Sequence, residues 1–171
     1  MRVGRTPRKV STEQQLYDSA LRALTRRAHS IHEMRTYLER RAETKAHVVA
    51  VIARLREQDH LDDARYAIEY ARSHAQRRRQ GRFRILRDLR ARGVSDDHID
   101  AALDTVFAET DETELVRARL KRHLAGLGGT VNLRKARSLY HSLLRAGFRP
   151  DLIQSELRKA ARIDVSDSQG E

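Results

Sequence analysis

The chain has 171 residues, of which 39% are hydrophobic and 35% charged, and its formal net charge at pH 7 is +11. It contains no cysteine, which excludes disulfide bonds and thiolate metal sites. No apolar run approaches the roughly 20 residues that a membrane-spanning helix needs, so we expect a cytoplasmic protein without membrane contacts.

The positive excess favours an anionic partner, either a nucleic acid or an acidic protein surface. It is carried by 30 arginines against 5 lysines. The planar guanidinium pairs bidentately with phosphate or carboxylate, which suits both kinds of partner. Codon preference in a GC-rich genome also favours arginine over lysine, but it explains the net excess less well.

The predicted structure is helical from one end of the chain to the other. Residues 1–10 hold four basic residues, one proline and no apolar period, so we expect a disordered basic arm. Beyond them, apolar positions recur at intervals of three and four, and no segment alternates with period two, which predicts an all-α fold. Helices are predicted at 12–28, 31–41, 45–57, 63–78, 82–91, 96–107, 112–125, 132–145 and 150–162. The polar, acidic segment 164–171 predicts a frayed tail.

Capping residues mark most of the predicted helix starts. Capping boxes are predicted at the pairs Ser11 and Gln14, Ser30 and Glu33, and Asp111 and Glu114. Simple N-caps are predicted at Thr44, Asp62 and Ser95, and Pro150 suits the first turn of a helix.

One pattern of apolar and small residues recurs three times, at spacings of 51 and 54 residues. Its copies are Met34, Leu38, Ala42, Val48, Ile52 and Leu55; Ile85, Leu89, Gly93, Ile99, Leu103 and Val106; and Leu139, Leu143, Gly147, Ile153, Leu157 and Ala160. The small residues fall at the end of a helix, where glycine readily adopts the left-handed conformation and where Ala42 would be strained if it adopted that conformation. We predict three tandem three-helix repeats, at 11–60, 61–109 and 110–163, that form an elongated, curved array.

The middle repeat carries the most specific motif. It runs Leu-Asp-Asp-Ala-Arg-Tyr-Ala from Leu61 to Ala67, and then a basic stretch, Gly81, and an Ile-x-x-x-Leu-x-x-Arg-Gly run ending at Gly93. Together with Ala20-Leu21-x-x-Leu24 and Ser30-x-x-Glu33-Met34 upstream, this order resembles the RecX family of bacterial regulatory proteins from about residue 17 to residue 162. Asp59 and His60 depart from the Gly-hydrophobe pair usual in that family, and Ala42 replaces a usual glycine.

The resemblance implies a non-enzymatic role. Members of the family have tandem three-helix repeats and bind the RecA recombinase and its filaments on single-stranded DNA. The resemblance therefore implies a modulator, mainly an inhibitor, of recombinase, ATPase and co-protease functions in DNA repair, recombination and the SOS response. We expect a monomer that contacts RecA and single-stranded DNA, with double-stranded DNA as an alternative ligand.

Two basic sets are the candidate DNA- and RecA-binding residues. The middle set lies in a stretch from Gln76 to Arg92 with a single acid, Asp88, and comprises Arg77, Arg78, Arg79, Arg82, Phe83, Arg84 and Arg87. The last set comprises Arg117, Arg119, Lys121, Arg122, Arg134, Lys135 and Arg137. Phe83, framed by two arginines, could stack on a base or enter a partner's pocket. For both sets a merely solvated charged face remains an alternative.

Other chemistry has little support in the sequence. Asp62 and Asp63 point in different directions at a helix start and lack a third ligand, so capping is the better interpretation. No HExxH spacing, Walker loop or G-x-S-x-G elbow occurs, so we expect no metal, cofactor or catalytic residue. The alternative function is a general nucleic-acid-binding helical repeat protein that acts without RecA.

Overall fold

The computed structural model describes the backbone of residues 12–125 and 133–167, and the side chains of 12–125 and 134–160. Within these ranges it contains nine α-helices and no extended strand. They are α1 (Glu13–Leu24), α2 (Ile31–Glu39), α3 (Lys45–Glu57), α4 (Asp63–Gln76), α5 (Arg82–Arg90), α6 (Asp96–Glu109), α7 (Glu112–Ala125), α8 (Leu133–Arg145) and α9 (Pro150–Asp167). The predicted basic arm, the glycine-rich 126–129 segment and residues 168–171 of the predicted tail lie outside the described residues.

Two helix boundaries differ clearly from the prediction. Helix α1 ends at Leu24 instead of residue 28, and beyond it the N–H of Arg26 bonds the carbonyl of Ala23, only three residues back, at 3.2 Å. Its N-cap is Thr12, whose side chain accepts from the N–H of Gln15, and not Ser11, which lies outside the described residues. Helix α9 continues to Asp167, five residues past its predicted end, so 164–167 of the predicted tail are helical.

The first three helices pack around one apolar core. Leu16, Met34, Leu38, Val51 and Leu55 are fully buried in it. The capping box that the sequence predicts at the start of α2 is confirmed, and Thr44 caps α3 by accepting from the N–H of His47. These three helices are therefore a three-helix unit with well-defined ends.

The last three helices pack in the same way. Val116 on α7, Leu143 on α8 and Ile153 on α9 meet in a second core, together with Phe148 from the α8–α9 turn. Asp111 lies directly before α7 and accepts from the N–H of Thr113 at 2.7 Å, which is the Asp111 half of the predicted capping box, while the Glu114 carboxylate contacts Arg117.

The described chain forms two compact units. One comprises residues up to Ala67 together with Leu89–Ile99, and the other comprises Ile68–Asp88 together with the residues from Asp100 onward. Helices α4, α5 and α6 thus contribute residues to both units. The three repeat boundaries predicted from the sequence remain a prediction.

Helix ends in the left-handed conformation occur at two of the three small-residue positions. Gly93 has φ +73° and Gly147 has φ +91°, as predicted for helix C-termini. Ala42 is not left-handed, and its N–H bonds the carbonyl of Leu38 at 2.8 Å, so the expected strain does not arise. Instead, within the described ranges, two residues other than glycine are left-handed: Asp59 with φ 56° and Arg79 with φ 49°.

The two aspartates that follow Leu61 cap different helices. Asp62 accepts from the N–H groups of Ala64 and Arg65 at 2.8 and 3.0 Å, so it caps its own helix, α4. Asp63 accepts from the N–H of Ile31 at 2.8 Å and therefore caps α2. Burial raises the pKa of Asp63, although the hydrogen bond from Ile31 favours its ionised form. Capping accounts for both carboxylates.

Candidate nucleic-acid and partner interface

The middle set of basic residues lies at the turn between α4 and α5. Helix α4 ends at Gln76, and Arg77 and Arg78 follow as exposed side chains. Arg79 is half-buried and left-handed, which reverses the chain before α5 begins at Arg82. The turn therefore carries three consecutive arginines, of which Arg77 and Arg78 are exposed.

The start of α5 is fixed to the end of α8. The N–H of Gly81 donates to the carbonyl of Ala146 at 2.8 Å, and that of Phe83 donates to the carbonyl of Gly147 at 3.1 Å. A Cβ on Gly81 would lie 2.3 Å from the Gly147 oxygen, so this contact needs glycine. Helix α5 thereby satisfies N–H groups at its start with carbonyls that the end of α8 leaves free. We call this contact the α5–α8 joint.

A carboxylate from a third helix completes the joint. Glu112, in the first turn of α7, accepts from the N–H of Arg82 at 3.0 Å. Hydrogen bonds from both α7 and the end of α8 thus hold the N-terminus of α5. They fix the backbone next to the arginines at the start of that helix.

Internal ion pairs divide the middle set. Arg82 is paired with Asp104, and Arg84 Nε lies 2.9 Å from Asp88. These two guanidinium groups are partly neutralised within the molecule. The remaining arginines of the set have no carboxylate partner in the described part of the chain: Arg77, Arg78, Arg79 and Arg87. The Phe83 ring is 54% exposed, although its backbone N–H is used in the joint.

Ion pairs also divide the last set. Arg117 contacts Glu114 and Glu156, both at 2.7 Å, and Glu156 is only 4% exposed. The hydrogen bond from Arg117, together with the weaker one from Lys159, lowers the pKa of Glu156 despite its burial. Arg117 therefore stabilises the third group of helices. Lys121, Arg122, Arg134 and Arg137 are exposed, and Lys135 is half-buried.

Arg119 brings the two sets together. Its Nη1 donates to the carbonyl of Arg79 at 2.7 Å and to that of Arg78 at 3.4 Å. Burial, and then the nearby charges of Arg122 and Arg79, lower the pKa of Arg119. The two basic sets thus meet at Arg79, Arg119 and Arg122, which we call the Arg119 cluster.

This contact could not be found in the sequence. Arg119 and Arg79 are 40 residues apart, and nothing in the spacing of α7 indicates that one arginine would bind a carbonyl while its neighbour, Arg117, would bind two acids. The sequence did identify every member of the cluster as basic and as part of the candidate surface.

Other kinds of site find little support in the described residues. Among them, no three His, Asp or Glu side chains are placed to hold a metal ion. No helix within the described ranges is long and apolar enough to cross a membrane.

The fold and the surface define a helical repeat protein with a concentrated cationic region, and comparison with known proteins gives its family. Residues 17–55 match the family model described as the first three-helix domain of RecX, and residues 62–103 match its second three-helix domain. A regulatory protein RecX from Halorhodospira halophila is 37% identical over 153 residues, which cover 90% of this chain and 91% of that protein. The chain belongs to the RecX family of regulatory proteins, as the sequence motifs indicated.

Further relatives agree with this assignment. A regulatory protein RecX from Halalkalibacterium halodurans is 29% identical over 82% of this chain, which spans about half, 53%, of that relative's length. The crystal structure of RecX from Lactobacillus salivarius matches with a TM-score of 0.74 at 20% sequence identity. The match covers 88% of this chain and 97% of the Lactobacillus chain. That structural likeness confirms the all-α helical repeat fold.

Proposed function

We propose that this protein modulates the RecA recombinase, mainly as an inhibitor, by binding RecA and its filament on single-stranded DNA. Binding restrains ATP hydrolysis, strand exchange and co-protease activity without any catalytic step by the modulator. The observation that carries the proposal is the junction of two arginine sets at Arg119, where Arg79, Arg119 and Arg122 have no carboxylate partner among the described residues. Membership of the RecX family supports it.

The arrangement suits a periodic, anionic partner. A nucleoprotein filament presents phosphates and protein surfaces at regular intervals, and tandem repeats can contact successive copies at modest cost for each contact. Unpaired arginines release the counterions condensed on DNA when they bind phosphate, so affinity should fall steeply with salt. We propose that the protein acts in the cytoplasm and as a monomer.

A titration of RecA-driven, DNA-dependent ATP hydrolysis tests the proposal. Increasing amounts of the protein are added to RecA on saturating single-stranded DNA, and the rate should fall to a plateau. An unchanged rate at saturating protein would contradict the proposed function.

A charge-reversal variant locates the surface. Substituting Arg77, Arg78 and Arg79 by Glu should shift the inhibitory midpoint to higher concentration while helicity, measured by circular dichroism, stays constant. The control reverses three exposed arginines of the first repeat, Arg22, Arg26 and Arg35, which gives the same change of net charge. Equal losses in both variants would show that total charge, and not this surface, governs binding.

The second candidate function is general binding of nucleic acid without RecA. The exposed arginines favour it as well, because phosphate alone would satisfy them. The two functions differ in their effect on an unrelated ATPase that depends on single-stranded DNA. A protein that merely covers DNA should inhibit both ATPases equally, whereas a RecA modulator should inhibit RecA at concentrations that leave the other enzyme active.

A further inference from the structure

Three arginines lie near one another at the Arg119 cluster, and no acid among the described residues pairs with them. Arg119 and Arg122 are one helical turn apart on the same side of α7, and Arg119 reaches the backbone of Arg79. One turn before Arg119, the residues on α7 are Leu115 and Val116, which are apolar and bring no acid near it. None of the three arginines has a carboxylate partner among the described residues, in contrast to Arg117 two positions earlier.

Arg119 keeps donors available for a ligand. Its Nη1 is occupied by the carbonyls of Arg78 and Arg79. A guanidinium has five N–H groups, so the Nε and Nη2 donors remain, and these form the side-on fork that binds phosphate in a bidentate manner. The carbonyl contacts also fix the plane of the group before any ligand arrives.

The backbone of Arg79 is the second, independent observation. Its φ of 49° lies in the left-handed region, where a long side chain costs free energy and glycine does not. Gly93 after α5 and Gly147 after α8 adopt the same conformation as glycines, and Asp59 after α3 adopts it as a short polar residue, which tolerates it better than arginine does. A residue that fold stability alone would not select is typical of a functional position.

The structure assigns the Arg119 cluster as a phosphate-binding site for the backbone of single-stranded nucleic acid, in which Arg119 also holds the backbone of Arg79 in place. This inference rests on the proposed function for its biological ligand. A nucleic-acid phosphate is favoured over a protein carboxylate because an exposed aromatic ring, Phe83, follows Arg79 by four residues and could stack on a base.

The variant Arg79→Gly separates binding from folding. Glycine relieves the left-handed strain, so the urea midpoint of unfolding should not fall. Affinity for a fluorescein-labelled oligo(dT) should nevertheless decrease roughly tenfold at low salt, because a charged hydrogen-bonding group is lost. A variant that binds oligo(dT) as tightly as the wild type would overturn the assignment.

A matched pair of variants on α7 tests the site's boundary. Arg122→Gln and Lys121→Gln remove the same charge from adjacent exposed positions that face different sides of the helix. The slope of log K against log salt should fall by about 0.7 for Arg122→Gln and much less for Lys121→Gln. Equal changes would mean a diffuse basic surface instead of a site.

Inorganic phosphate and RecA alone identify the ligand. In NMR titrations with inorganic phosphate, the Nε–H resonances of Arg79, Arg119 and Arg122 should shift together and saturate. Uniform small shifts across all exposed arginines would overturn the site.

If Arg79→Gly lost binding to DNA-free RecA but kept oligo(dT) binding, the ligand would be an acidic protein surface and the inference would be wrong. If the variant lost oligo(dT) binding while the wild type left RecA activity unchanged, the site would stand and the proposed function would fail.

Discussion

Glu33 links the start of α2 to neighbouring side chains. Its Oε2 lies 2.9 Å from Arg27 Nη1 and 3.3 Å from both the N–H of Ser30 and the hydroxyl of Tyr66. Burial raises the pKa of Tyr66 to about 12, so the hydroxyl remains a donor at any physiological pH. Burial also opposes ionisation of Glu33, but the hydrogen bonds from Arg27 and Ser30 outweigh it and lower the pKa of Glu33.

The pH dependence of this contact has a definite sign. Because the folded pKa of Glu33 is below its unfolded value, its contribution is present near pH 7 and is lost as pH falls through the folded pKa. The variant Glu33→Gln should cost about 1 kcal/mol of unfolding free energy at pH 7 and progressively less toward pH 3. Urea unfolding of both proteins across this range measures the difference. A constant difference would show that the charge of Glu33 is irrelevant.

Arg117 should behave as a structural arginine. Its removal in Arg117→Gln leaves the buried Glu156 with Lys159 as its remaining cation, so thermal stability should fall. Oligo(dT) binding should change no more than for Lys121→Gln. Binding losses as large as those of Arg122→Gln would show that the internal ion pairs do not exclude Arg117 from the interface.

At the scale of helices, two contacts of the same design recur, one in each compact unit. In the first, Ser30 Oγ donates to the carbonyl of Arg92 at 2.6 Å while Asp63 caps Ile31, so the start of α2 rests on the end of α5. We call this the α2–α5 joint. In the α5–α8 joint, the start of α5 rests on the end of α8 while Glu112 caps it. Each joint therefore combines a glycine-terminated helix with an acid from the first turn of another.

The glycines in these joints should be intolerant of substitution. A Cβ on Gly147 would lie 2.2 Å from the backbone nitrogen of Arg84, whereas one on Gly93 would meet the His32 side chain at 2.5 Å. Both Gly→Ala variants also force alanine into the left-handed region, so each should cost about 1–3 kcal/mol, with the larger loss at Gly147 because backbone cannot move aside. Chemical denaturation of both variants measures the two costs.

Ala42→Gly is the matched control, since Ala42 is neither left-handed nor part of a joint. It should lose no more than about 1 kcal/mol, through backbone entropy. A Gly147→Ala variant as stable as Ala42→Gly would contradict the joint as described.

Helix positions could be predicted from the sequence because they follow local rules. Apolar periodicity and capping residues placed α3, α6 and α7 within two residues of their observed bounds. The joints could not be predicted in this way, since the partner of Ile31 is Asp63 and the partner of Gly81 is Ala146. The candidate site was predicted only as two charged sets. The sequence did not show which arginines form internal ion pairs, because a partner acid can be distant in sequence, as Asp104 is from Arg82.

At the scale of the whole molecule, the net charge is +11, but the arginines differ in whether an internal acid neutralises them. Internal pairs with Asp104, Asp88 and Glu156 occupy several arginines, while the Arg119 cluster has no such partner among the described residues. Net charge alone would attract any polyanion. Arginines held in fixed positions, as in the Arg119 cluster, can instead favour a ligand whose anionic groups match their geometry.

The most direct test compares the inhibition of RecA ATP hydrolysis by the wild type, Arg79→Gly and Lys121→Gln on the same preformed filaments. We predict that the wild type and Lys121→Gln lower the rate with similar midpoints and that Arg79→Gly needs several-fold more protein. A wild type that leaves the rate unchanged, or an Arg79→Gly variant that inhibits as well as the wild type, would contradict the account.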